Sequence, residues 1–117
     1  MATTEIYRYL IINSHEYALD PEGFLVDIAT WSPEAAEAMA DEEGITLTAD
    51  HWEVIELLRD FYARYEMAPA MRPLVKAVSQ RLGAEKGRSI HLMRLFPGSP
   101  AKVAARLAGL PKPTHCL

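Results

Sequence analysis

The chain contains a single cysteine, Cys116, and it is the second-to-last of 117 residues. That placement removes two ways of holding a small protein together. One thiol forms no internal disulfide. One cysteine with four scattered histidines (His15, His51, His91 and His115) also lacks the short ligand spacings of a structural zinc site. The fold must therefore rest on one hydrophobic core, and with 50% hydrophobic residues the composition can supply it. No apolar run approaches the roughly eighteen residues that a membrane span needs. The start, Met1-Ala2-Thr3-Thr4-Glu5, lacks the basic and apolar segments of a secretory signal. An unpaired cysteine without an export signal implies a reducing, cytoplasmic setting and no membrane.

The cysteine sits on the tail Gly109-Leu110-Pro111-Lys112-Pro113-Thr114-His115-Cys116-Leu117. Chain ends lie at the surface unless docked, so this thiol is not a core residue. Pro111 and Pro113 favour extended backbone and make the tail a semi-rigid stalk. At about 3.3–3.6 Å per residue, residues 109–117 reach roughly 30 Å, enough to insert sulfur into another protein's active site. Lys112 and His115 favour the thiolate and the terminal carboxylate opposes it. His115 is a poor fixed partner, because neighbouring side chains in extended backbone face opposite ways. The tail alone is weakly activated, and further activation is expected from a partner's pocket.

The net charge of −4 hides a division along the chain. Residues 1–60 carry fourteen acids and two bases (Arg8 and Arg59), a net −12, whereas residues 61–117 carry two acids and ten bases, a net +8. Either the halves neutralise each other across the fold, or a basic face lies beside the arm for an acidic protein or RNA phosphate.

Local signals place most elements. Asp20-Pro21-Glu22-Gly23 is a turn between the apolar pieces 17–19 and 24–28, which predicts a small hairpin there. Ser32 and Pro33 open a helix that Gly44 stops, and Thr48 opens a long helix to about Tyr65 with apolar residues at three- and four-residue steps. A third helix runs from about residue 72 to 82, a fourth over residues 89–96, and Ser99-Pro100 opens a fifth that ends before Gly109. The apolar side of the fifth is Val103, Ala104, Leu107 and Ala108. The expected fold is mostly α: a compact orthogonal bundle of about five helices, with a small N-terminal β-hairpin and an exposed C-terminal arm. Residues 1–16 are expected as an extension, 17–108 as the helical domain and 109–117 as the arm.

No enzyme constellation emerges away from Cys116. There is no Gly-rich phosphate loop and no nucleophile elbow. His51 reads as a surface or packing residue, and Asp41, Glu42 and Glu43 read as solvated charge at a helix end.

These residues resemble the TusE/DsrC sulfur-carrier family. The resemblance is carried by Ala108-Gly109-Leu110-Pro111-Lys112-Pro113-Thr114-His115-Cys116, by Leu95-Phe96-Pro97, Pro100-Ala101-Lys102 and His51-Trp52-Glu53-Val54-Ile55, and by Trp31, Glu43-Gly44-Ile45, Leu58-Arg59-Asp60-Phe61-Tyr62 and Lys86-Gly87-Arg88-Ser89. It spans roughly residue 17 to the end. One branch of the family carries a second arm cysteine eleven positions before the penultimate one; here that position is Ala105, so the resemblance is to the single-cysteine, TusE-like branch. It departs from the family at Gly98-Ser99-Pro100, where glycine usually stands directly before the proline.

The resemblance implies a carrier that takes persulfide sulfur on Cys116 and passes it along the relay for 2-thiolation of the tRNA wobble uridine. It would have no stand-alone turnover and no cofactor. A TusBCD-like donor complex and an MnmA-like tRNA thiouridylase are the implied partners, with tRNA reached through that complex. Lys102, Arg106 and Lys112 are candidates for docking acidic partner surfaces or tRNA phosphate, against a simple solubilising role. Two alternatives stand beside this: sulfur trafficking in sulfur oxidation or another pathway, and a non-catalytic helical nucleic-acid-binding or regulatory module.

Overall fold

A computed structural model describes residues 5–114. Strands β1 (Arg8–Ile12) and β2 (His15–Leu19) pair antiparallel, and five helices follow: α1 (Pro33–Glu42), α2 (Ala49–Tyr65), α3 (Met71–Leu82), α4 (Ser89–Leu95) and α5 (Pro100–Leu107). A short 3-10 turn, Ile28–Thr30, joins the sheet region to α1. No helix among the described residues is long and apolar enough to cross a membrane.

The helix boundaries lie where the cap chemistry puts them. Ser32 accepts the Ala35 amide at 3.2 Å while Pro33 occupies the first turn, where its missing N–H costs nothing. The Ser32 hydroxyl also bonds the Tyr17 hydroxyl at 2.8 Å, fixing the start of α1 to β2. Thr48 and His51 form a capping box at α2.

The hairpin lies one segment earlier than expected. Asp20-Pro21-Glu22-Gly23 is indeed a turn, with the Asp20 carboxylate accepting the Glu22 and Phe24 amides. It leads only to an isolated bridge between Leu19 and Leu25. The main pairing closes through Asn13-Ser14, both at positive φ (48° and 69°), which suits the twist of a two-residue hairpin turn. Residues 8–16 thus lie largely within the sheet, with Leu10 and Ile12 packed against the core.

Helix α5 lies at the centre and packs against α1, α2, α3 and α4. Ala101, Ala104, Ala105 and Ala108 are all buried along it, and their small side chains let neighbouring backbones close in. Burial extends around more of α5 than the stripe Val103, Ala104, Leu107 and Ala108 implied: Val103 is only half-buried, whereas Ala101 and Ala105 are enclosed. Phe24, Met39, Ile55, Leu58, Leu74, Leu92, Phe96 and Leu107 fill the surrounding core. Each contributes on the order of 1.5–3 kcal/mol when fully buried.

Candidate functional site

Cys116 lies outside the described residues, so the site is described up to Thr114. What the structure describes is the root of the arm, where α5 stops and the Pro-braced segment departs.

The stop is a Schellman cap. Gly109, at φ +75°, donates its amide to the Arg106 carbonyl at 3.0 Å, and Leu110 donates to the Ala105 carbonyl at 3.0 Å. Leu110, 2% exposed, plugs the core directly after the cap. Two carbonyls remain at this helix end, and side chains from distant elements take both. The Trp31 indole Nε1 donates to the Leu107 carbonyl at 2.9 Å, and Arg59 Nη1 donates to the Ala108 carbonyl at 2.7 Å. The terminal carbonyls of a buried helix are thereby satisfied, and the Arg59 cation sits at the negative end of the α5 dipole. Burial pushes the Arg59 pKa down, but a guanidinium stays charged.

These two side chains also hold each other. The Arg59 guanidinium carbon lies 3.9 Å from the centre of the Trp31 ring. Trp31 closes over Gly109 so tightly that a β-carbon there would lie 2.3 Å from the indole Cδ1. Trp31, Arg59 and Trp52 with Pro33, Glu56 and Asp60 line a shallow groove of about 540 Å³ beside the arm root.

The opposite side of α5 is held by Arg106. Its Nε donates to the Gly23 carbonyl at 2.8 Å and its Nη1 to Glu43 at 2.8 Å, while Nη2 bonds Glu42. Glu42 also receives both terminal nitrogens of Arg8 at 2.9 Å. The Arg8 bonds lead, with Arg106 adding to them, in holding the Glu42 carboxyl below its ordinary pKa, although partial burial opposes the shift.

This corrects two expectations. Arg106 is not a surface docking residue: its side chain is 7% exposed and every nitrogen is engaged with Gly23, Glu42 or Glu43. Glu42 and Glu43 are not merely solvated charge, because two guanidinium groups offset their position at the acidic C-terminal end of α1.

Lys102 and Lys112 are on the surface, and Glu22 brings them together. Lys112 Nζ lies 3.0 Å from the Glu22 carboxylate and Lys102 Nζ lies 3.1 Å from it. The Lys112 bond, then the Lys102 bond, lowers the Glu22 pKa. Lys112 thus ties the arm to the Asp20–Gly23 turn. Pro111 and Thr114 are exposed, whereas Pro113 is buried. The charge division along the chain is met in part by pairing between the halves, as in Arg106 with Glu42 and Glu43, Lys86 with Glu53, and Arg81 with Asp60.

His51 is a buried packing residue. Its Nδ1 accepts the Thr48 amide at 3.0 Å, which leaves the proton on Nε2, 2.9 Å from the Leu95 carbonyl. Its ring meets Phe96 edge-on at 5.3 Å. Among the described residues, no three His, Asp or Glu side chains converge as metal ligands.

Sequence reasoning gave Trp31 and Arg59 no role of their own. Both act on carbonyls far along the chain, beyond the reach of any local pattern. One signal was available: Arg59 is one of only two bases in the first sixty residues.

The DsrC like protein family matches residues 11–117. The sulfurtransferase TusE homolog of Haemophilus influenzae is 52% identical over 108 residues, covering 92% of this chain and 99% of that protein. Sulfurtransferase TusE of Escherichia coli (strain K12) is 47% identical over 108 residues with the same coverage. The NMR structure of Allochromatium vinosum DsrC superposes with a TM-score of 0.85 at 46% identity, covering 93% of this chain and 97% of that one. The oxidised gamma-subunit of the dissimilatory sulfite reductase (DsrC) from Archaeoglobus fulgidus gives a TM-score of 0.82 at 39% identity, covering 94% and 100%.

Proposed function

The chain belongs to the DsrC-like protein family, and from that premise we propose that it is a single-thiol sulfur carrier serving 2-thiolation of the tRNA wobble uridine. The observation that carries this reading is the near full-length relationship to sulfurtransferases TusE in a chain whose only cysteine ends a Pro-braced arm. The Cys116 thiolate attacks the outer sulfur of a donor persulfide. The donor's S–S bond breaks, the donor cysteine leaves as thiolate, and Cys116 becomes the persulfide. An acceptor thiolate then attacks that outer sulfur and Cys116 leaves as thiolate. Each step exchanges one S–S bond for another, so no external oxidant or reductant is needed.

Loading from a TusBCD-like complex and delivery to an MnmA-like thiouridylase belong to the same proposal, as does the lack of stand-alone turnover. Ala105 supports the single-thiol form. It is fully buried beneath the arm root, and alanine cannot discharge a persulfide by closing a disulfide.

Intact mass after incubation with a cysteine desulfurase relay and cysteine tests the reading. The expected product gains one sulfur atom, and Cys116→Ser gains none. In a deletion strain, wild type and not Cys116→Ser should restore the thiolated wobble uridine. Sulfur loading without that restoration would move the protein to another sulfur pathway.

A further inference from the structure

A second groove, of about 950 Å³, runs between the C-terminal half of α2 and α3, and no step of the carrier chemistry uses it. Its charge is opposite to that of the whole protein. Arg64, Lys76 and Arg81 line it, with Asp60 the only acid, in a chain of net charge −4. Asp60 is bound to Arg81 at 2.6 Å. Arg64 and Lys76 are exposed and have no carboxylate within ion-pair distance among the described residues.

Between these cations stands an aromatic pair. The Phe61 and Tyr65 rings lie 4.6 Å apart, and Tyr65 is 57% exposed. An exposed tyrosine one turn from a half-buried phenylalanine, with the unpaired cations Arg64 and Lys76 beside it, offers a stacking face next to phosphate-binding charge. An acidic peptide would use the cations and leave the rings idle, whereas an unpaired nucleotide uses both.

We propose that this groove binds single-stranded RNA, with Arg64 and Lys76 on phosphates and a base stacked on Tyr65. Resting on the carrier reading, the inference deepens it: the RNA is the loop of the tRNA being thiolated. Position agrees with this. Arg59 holds the arm root and Arg64 lies five residues further along α2, about 7.5 Å at 1.5 Å per residue.

The test is fluorescence anisotropy of the full-length protein with an unmodified anticodon stem-loop RNA carrying a wobble uridine. A fully paired RNA duplex and an oligoglutamate peptide serve as the comparison probes. Two phosphate contacts on a single strand predict an affinity loss of about sevenfold between 50 and 200 mM salt. Arg64→Glu with Lys76→Glu should weaken binding at least tenfold, and Tyr65→Ala about fivefold or more. Asp60→Asn, which releases Arg81, should tighten it, so the prediction includes a gain that misfolding cannot mimic. Stem-loop binding that ignores these changes, equal binding of the duplex, or displacement by oligoglutamate with Tyr65→Ala silent would overturn the proposal. Sulfur loading of Cys116, read by intact mass, should be unchanged in the Arg64, Lys76 and Tyr65 variants. Failure of wild-type loading would remove the carrier reading while leaving RNA binding by the groove standing.

Discussion

Arg59 and Trp31 lie in contact and donate to adjacent carbonyls, Ala108 and Leu107, so one stacked pair closes the end of α5 from which the arm departs. The pair belongs to α2 and to the residue just before the N-cap of α1. Three elements therefore meet at the point where a sulfur-bearing segment must be aimed.

Replacing either member should cost stability through an unpaired carbonyl. Arg59→Met and Trp31→Phe should each lose about 1–3 kcal/mol. The double variant should fall short of the sum by about 0.5–1 kcal/mol, because the cation–ring contact is lost in either single change. Urea denaturation of the four proteins in the cycle measures this, and strict additivity would refute the coupling.

Gly109→Ala should be among the most damaging single changes in the arm. A positive φ costs an alanine about 1–2 kcal/mol, and the new methyl would overlap the Trp31 indole. A loss of about 2–5 kcal/mol is expected by chemical denaturation. Gly44→Ala provides the contrast: it shares the positive φ, at +74°, but has no atom within 4 Å of the added carbon, so only the conformational part should appear.

Acid sensitivity should trace to Glu42. Its carboxyl is held below its ordinary value, chiefly by Arg8 and then by Arg106. The native state thus binds that proton less readily than the unfolded chain does. This contribution is complete above the ordinary carboxylate value of about 4.3 and is lost as pH falls through the lowered native value. Glu42→Gln should therefore be less stable at neutral pH and show a flatter stability–pH curve in the acid limb. Arg106→Met, which leaves two carboxylates and the Gly23 carbonyl without their donor, should cost about 3 kcal/mol or more at neutral pH.

His51→Gln separates the two jobs of that ring. Glutamine can still accept the Thr48 amide as a capping-box residue, but the bond to Leu95 and the edge contact with Phe96 disappear. The expected cost is about 1–3 kcal/mol. In the wild type, ring-nitrogen NMR shifts should report the Nε2–H tautomer, and an Nδ1–H form would contradict the geometry.

The helix ends were legible because they are local events. Ser32-Pro33 with Gly44, and Ser99-Pro100 with Gly109, bracket α1 and α5 by cap chemistry that needs only a few adjacent residues. The hairpin was misplaced because the Asp20 turn is real but pairs almost nothing, while the working turn has serine at a positive φ, where glycine is the usual signal. The site was half-legible. Gly109 and the two prolines announce the arm, but Arg106 sits between Ala105 and Leu107 in a short helix and carries nothing local to mark it as buried. Its partners lie more than sixty residues away, and burial of an arginine is decided by partners rather than by its own residue type.

In the proposed relay, the Lys112–Glu22 ion pair and the buried Pro113 set a limit on where a partner's thiol can stand. While they hold, Cys116 stands two residues past Thr114, about 7 Å of chain. A partner must then bring its cysteine almost to the surface of this domain, through a shallow opening beside the Asp20–Gly23 turn. A partner with a deeper cleft must first compete for Lys112 with a carboxylate of its own. The depth of the pocket that receives the sulfur is thus coupled to the charge at its mouth.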